Sequence, residues 1–100
     1  MVVYKITHKM SKSFEEFTCM LPVDAVVFKA GIQHSNTTNE FSVWFTYSGE
    51  DNPLMNQRKF LLVGTGVKFN HNNLRYISSF ETPGVYEVFH LFEIEGDTKQ

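Results

Sequence analysis

The residues of this chain best equipped for chemistry are four histidines (His8, His34, His71, His90), one cysteine (Cys19) and a glycine-flanked threonine, Gly64-Thr65-Gly66. No two histidines stand at close metal-ligand spacing, and Cys19 has no ligating neighbour in sequence. A metal or hydrolytic site would have to be assembled in space from His90, His71 and a carboxylate. A nucleophilic Cys19 would need a histidine beside it to lower its pKa. Flanked by Thr18 and Met20, it reads instead as a small buried apolar group. Backbone N–H groups of Gly64-Thr65-Gly66 could cradle a phosphate if a helix followed, but Val67-Lys68-Phe69-Asn70 does not read as a helix start. The triplet therefore reads as a bend ending a strand, with a ligand-contacting loop as the alternative. Of the paired carboxylates, Glu15/Glu16 reads as a solvated face and Glu93/Glu95 as a solvated strand end.

His90 shares strand parity with Tyr86, Val88, Phe92 and Ile94, which predicts a mostly apolar layer. A histidine there is expected to be structural, its ring bonded to a hydroxyl such as Ser78 or Thr65 or to a backbone carbonyl. Trp44 falls opposite the aromatic face of its strand, beside Ser42 and Thr46. It is a binding surface if the sheet has one wet face, and core if both faces are covered. Leu54 and Met55, inside a polar loop, are expected either to cap an end of the core or to anchor a partner.

The elements that must position these groups read as strands. Arg58 to Gly66 starts charged, runs apolar through Phe60-Leu61-Leu62-Val63 and stops on Gly-Thr-Gly, as a central strand buried on both faces would. Strict alternation over residues 2–10 places Val2, Tyr4, Ile6, His8 and Met10 on one face. Residues 14–21 read as a second strand, with one helical turn capped by Ser13 as the alternative. Residues 25–33 follow, with Val26, Phe28, Ala30 and Ile32 on one face. In residues 40–48, Phe41, Val43, Phe45 and Tyr47 share a face. Residues 74–81 and 85–94 complete the set, the former with Tyr76, Ser78 and Phe80 on one face. Turns fall at 11–13, 34–39, 48–53, 70–73 and 82–84, and a polar tail begins near 95. About seven strands joined by short links predict one all-β domain, an antiparallel β-sandwich or small partly closed barrel in which successive strands pair.

Composition agrees with a packed domain: of 100 residues, 42% are hydrophobic and 15% aromatic. A net charge of −2 argues against nucleic-acid binding through bulk charge, since Lys9/Lys12 and Arg58/Lys59 are too few to form a basic footprint. One cysteine permits no internal disulfide, which suits a reducing compartment. Asn36-Thr37-Thr38 matches the glycosylation pattern, which matters only in a secreted chain. No leader is visible before Val2-Val3-Tyr4, and no apolar run approaches a membrane span of about 18 residues.

One ordered series of short signals remains: Leu21-Pro22, Gln33, Val43-Trp44, Arg58-x-Phe60, Gly64-Thr65-Gly66, Tyr76-Ile77 and Val88-x-His90-x-Phe92-Glu93. It resembles a family of small uncharacterised bacteriophage and prophage proteins. Relatives often carry a histidine after the Gly-x-Gly, where this chain has Val67. The resemblance implies phage origin and an accessory role; joined to the reading of a soluble intracellular chain, it sets the expected location in the host cytoplasm. No cofactor is expected. The leading expectation is a binding protein that occludes a host protein or captures a small ligand, using Trp44, Leu54, Met55, Gly64, Thr65, Gly66, His71 and His90, with self-association left open. Its alternatives are a small hydrolase using His90 or His71 with a carboxylate, and a minor virion component.

Overall fold

The computed structural model describes residues 1–10, 12–32, 40–82 and 87–95. The turns expected at 34–39 and 82–84, with His34, Asn36 and Tyr86, fall wholly or partly outside them. Seven strands form two antiparallel sheets: β1 Val2–Lys9, β2 Phe14–Pro22, β3 Val26–Gly31, β4 Glu40–Tyr47, β5 Met55–Gly64, β6 Leu74–Glu81 and β7 Val88–Ile94. The first sheet has order β1-β4-β3 and the second β2-β5-β7-β6. The result is an open β-sandwich and not a closed barrel. Among the described residues, successive strands pair only in β3–β4 and β6–β7, because the β1–β2, β2–β3 and β4–β5 links cross between sheets and the β5–β6 link stays in one sheet but passes β7. The expected run of neighbour pairings is corrected on this point.

Alternation explains the core. Phe41, Val43 and Phe45 of β4 face Phe17, Leu21, Phe60, Leu62, Phe89 and Leu91 of the other sheet. At the residue level, Phe17 stacks on Phe60 with centroids 5.5 Å apart, and Phe41 stacks on Phe80 at 5.2 Å. The central strand is β5, and Phe60, Leu61, Leu62 and Val63 are all buried. Phe60 and Leu62 face the inter-sheet core. Leu61 and Val63 face the other way, yet are covered as well. The segment after Gly64 folds back over that outer face, and Phe69 packs on Phe92 while His71 packs on Phe14.

Two bulges correct the expected faces. A register shift between Val27 and Lys29 leaves Val26 and Phe28 exposed and buries Val27 and Ala30, where unbroken alternation would have grouped Val26, Phe28 and Ala30. A second shift, between Tyr76 and Ser78, sends Tyr76 and Ser79 outward while Phe80 points in. In β7 the core face carries Phe89, Leu91 and Glu93, so the layer holding His90 is the outer one.

Of the carboxylates expected to be solvated, Glu16 and Glu95 are exposed, and Glu93 is a correction. Glu93 is buried between the sheets and accepts bonds from Arg58 Nε at 2.7 Å, Arg58 Nη2 at 3.1 Å and Arg75 Nη2 at 2.9 Å. Burial pushes its carboxyl up, but the hydrogen bonds and charges of Arg58 and Arg75 outweigh this and hold it below the usual range. Glu95 accepts from Arg75 Nε at 3.1 Å. Glu15 and Glu16 pair with His8 and His71 at 3.0 and 3.3 Å. The same arginines cap the outer edge of β3: Arg58 Nη1 donates to Ala25 O, Arg75 Nη2 to Val27 O and Ser78 Oγ to Ala30 O, at 2.9, 3.5 and 3.2 Å.

Candidate functional site

At the other side of the sandwich, β1 and β2 are the edge strands of different sheets and diverge from the turn that joins them. Near that turn the gap is filled: His8 stacks on Phe17 at 4.1 Å and its Nε2 lies 3.0 Å from Glu15 Oε2. Farther along, none of the described residues fills it. A cleft of about 360 Å³ opens there, lined by Tyr4, Ile6, Met20, Leu21, Pro22, Phe45, Tyr47 and Met55 among others. Its size is at the low end of ligand pockets, and its walls are apolar side chains with few polar groups. Burial raises the Tyr47 phenol, helped by Tyr4 and by the carboxylates of Asp51 and Asp24, so the ring stays uncharged at neutral pH. The cleft follows from topology: the β1–β2 link hands the chain from one sheet to the other, so the two strands cannot zip together. Pro22, at the end of β2, has no N–H to offer a ladder.

Met55 is the one expected site residue that lines this cleft. It is the first residue of β5, paired with Pro22, and not a loop residue. Leu54 is 76% exposed, and its carbonyl accepts from Val23 N at 2.8 Å. Neither residue caps the core. Trp44 lies on the outer face of the first sheet, half-buried, with Lys5 and Lys29 beside it in register and the Lys29 ammonium 5.1 Å from its ring centroid.

Gly64, Thr65, His71 and His90 converge on the outer face of the second sheet. One cross-strand row there reads Phe14, Val63, His90, Ser79, and the next reads Glu16, Leu61, Phe92, Tyr76. His90 Nε2 is 2.8 Å from Thr65 Oγ1 and Nδ1 is 2.7 Å from Ser79 Oγ, itself 2.7 Å from Tyr76 Oη. Thr65 Oγ1 also donates to Val88 O at 3.1 Å. Because Thr65 gives its proton to Val88 O, His90 Nε2 donates to Thr65, while Nδ1 shares a hydrogen bond with Ser79, which is bonded in turn to Tyr76. Both ring nitrogens are bonded. Thr65 was among the expected partners; Ser79 takes the place of Ser78 because of the bulge.

Two of the three N–H groups of Gly-Thr-Gly, and that of Val67, are committed to the fold. Gly64 N donates to Ser13 O, Thr65 N to Val88 O and Val67 N to Gly64 O. The last closes a turn whose third residue, Gly66, has φ +91°, which favours glycine. These three N–H groups are not offered to a phosphate. His71 Nε2 faces Glu16, while Nδ1 is buried with no hydrogen-bond partner among the described residues. Among those residues no cluster of three or more His, Cys, Asp or Glu could hold a metal. Burial raises the Cys19 thiol despite Arg58 nearby, consistent with an inert side chain packed against the core.

The cleft was missed from sequence because it depends on two strands failing to pair. The only local signal was Pro22 ending a strand next to a second run that carried its own apolar face. The chain belongs to a family described as a domain of unknown function, DUF7352, whose model matches residues 1–100. No curated protein and no solved structure matches it.

Proposed function

We propose that this member of the DUF7352 family is a phage-encoded accessory binding protein that acts in the host cytoplasm by taking an apolar group of its target into the cleft between β1 and β2. The cleft carries this reading: a roughly 360 Å³ apolar concavity bounded by Tyr4, Ile6, Met20, Tyr47 and Met55, open to solvent along two sheet edges. The resemblance of its ordered short motifs to those of phage and prophage proteins is the support for the origin. Anilinonaphthalene sulfonate, an apolar fluorescent anion, tests the cleft. It is expected to brighten on the folded protein and to lose most of that signal with Met55→Phe, which fills the half-exposed rim. The variant should keep its Tm within about 3 °C, since the change stays at the surface. No dye binding by the folded wild type would sink the reading.

A hydrolase reading has one observation in its favour, the 2.8 Å contact between Thr65 Oγ1 and His90 Nε2. It requires Thr65 to turn its proton from Val88 O to the ring, with His90 as general base. Thr65→Val should then abolish hydrolysis of p-nitrophenyl acetate. Turnover equal to that of wild type would remove the reading.

A further inference from the structure

On the outer face of the second sheet, the network around His90 leaves one hydroxyl set to react. Thr65 gives its proton to Val88 O, so towards His90 its oxygen accepts, and the Nε2 nitrogen 2.8 Å away carries the hydrogen. In the neutral imidazole Nδ1 then keeps its lone pair, and it faces Ser79 Oγ at 2.7 Å. Ser79 is exposed, and Tyr76 Oη stands 2.7 Å from the same Oγ. With the Ser79 proton engaged on Nδ1, the phenol is the donor in that contact. A serine bonded to an imidazole whose other nitrogen is fixed by a third group is the arrangement that activates an alcohol as a nucleophile. Here the third group is a threonine hydroxyl anchored on a strand carbonyl. Topology assembles it: Thr65 follows β5, His90 lies on β7 and Ser79 on β6, and the bulge between Tyr76 and Ser78 turns Ser79 to the ring. An aromatic shelf adjoins it on the same face. Phe92 packs on Phe69 and on Tyr76 with centroids 5.8 Å apart in each pair, and both Phe69 and Tyr76 are exposed.

We propose that Ser79 is the nucleophile of an acyl-transfer site for small esters of aromatic alcohols. This site shares His90 with the hydrolase reading above, but its nucleophile differs: Ser79 hands its proton to the ring as it stands, whereas Thr65 would first have to leave Val88 O. Ser79 Oγ bonds to the ester carbonyl carbon as its proton passes to His90 Nδ1. Tyr76 turns its O–H from Oγ to the carbonyl oxygen, where negative charge gathers. The C–O bond to the alcohol then breaks, and the leaving oxygen takes the proton from Nδ1. Water, deprotonated by Nδ1, attacks the acyl-serine, releases the acid and restores Ser79. The ring of the alcohol rests on Tyr76, Phe92 and Phe69. Thr65 is a positioning residue, which touches no substrate and keeps the imidazole hydrogen on Nε2.

The test uses the full chain with a fluorophosphonate, which loses fluoride to an activated serine, and with p-nitrophenyl acetate. Trypsin leaves Thr65 in the peptide 60–68 and Ser79 in 76–99, so mass spectrometry locates the adduct. It is expected on 76–99, absent from Ser79→Ala and retained in Ser78→Ala, since Ser78 is bonded to Ala30 O at the β3 edge. Ser79→Ala should lower p-nitrophenyl acetate turnover by about a hundredfold or more while its Tm stays within about 3 °C of wild type, the position being exposed. Thr65→Val should lower kcat by about tenfold or more with KM nearly unchanged, and Thr65→Ser should restore it. An adduct on 60–68, or wild-type turnover by Ser79→Ala, would overturn the assignment; the first of these would favour Thr65 as the nucleophile instead. No adduct on the folded wild type, or an adduct that survives Ser79→Ala, would overturn it as well. The cleft is untouched by all of these outcomes, because it is tested by the dye.

Discussion

Glu93 shows how much one side chain can decide. Its side chain is 8% exposed and that of Arg58 14%, so this part of the cluster is desolvated, while Arg75 remains partly in water. Glu93→Gln leaves the Arg58 guanidinium without its charge partner and is expected to cost about 3 kcal/mol in urea unfolding. A cost near zero would show that the cluster is idle. The same group sets a pH dependence. Its carboxyl is held below the usual value near 4.5, so the unfolded chain takes up the proton more readily. The contribution is complete above that value and is lost as pH falls through the folded-state pKa. Wild type should lose Tm steeply below about pH 4.5, and Glu93→Gln should flatten that slope; parallel curves would refute the assignment. Cys19 belongs to this scale as well: its raised thiol pKa and partial burial predict slow alkylation by iodoacetamide at pH 7 compared with the unfolded chain.

The turn after β5 is the element on which the outer face depends. It reverses the chain so that Phe69 and His71 can lie over Leu61 and Val63. The two glycines serve it differently. Gly66 has open space around a would-be Cβ but φ +91°, so Gly66→Ala meets backbone strain of about 1–2 kcal/mol. Gly64 has an ordinary φ, and a Cβ there would sit 2.9 Å from Glu87 Oε2, the far end of a flexible side chain that can swing aside. Gly64→Ala is therefore expected to cost less than Gly66→Ala. Thermal unfolding of both variants decides it, and the opposite order would mean that packing at Gly64, and not dihedral strain at Gly66, governs the turn.

Across the whole molecule, stability should be graded from centre to seam. β5 is paired on both sides and covered on both faces, whereas the first half of β1 is paired on one side and exposed. Amide exchange in the free protein should be slowest at Phe60–Val63 and fastest, within strands, at Val2–Tyr4. Equal protection of the two would mean that something already pairs with β1. The open seam and the capped β3 edge make a sandwich with one side closed by side chains and the other open.

The sequence by itself determined the class of fold and the identity of the central strand. Alternation in β1, β2 and β4 and the four-residue apolar run of β5 are local patterns, and a side chain's face follows directly from its position along a strand. The Gly-Thr-Gly turn was legible for the same reason. Tertiary structure alone decided the rest. Where a bulge adds a residue, at Phe28 and Ile77, parity inverts with no warning in composition, and Ser79 thereby replaced Ser78 as the partner of His90. Glu93 read as solvated because its two arginines stand 35 and 18 residues away and meet it only across the second sheet. The cleft depends on which strands do not pair. That is a property of the order β1-β4-β3 against β2-β5-β7-β6, set by long-range competition for edges and not by any segment alone.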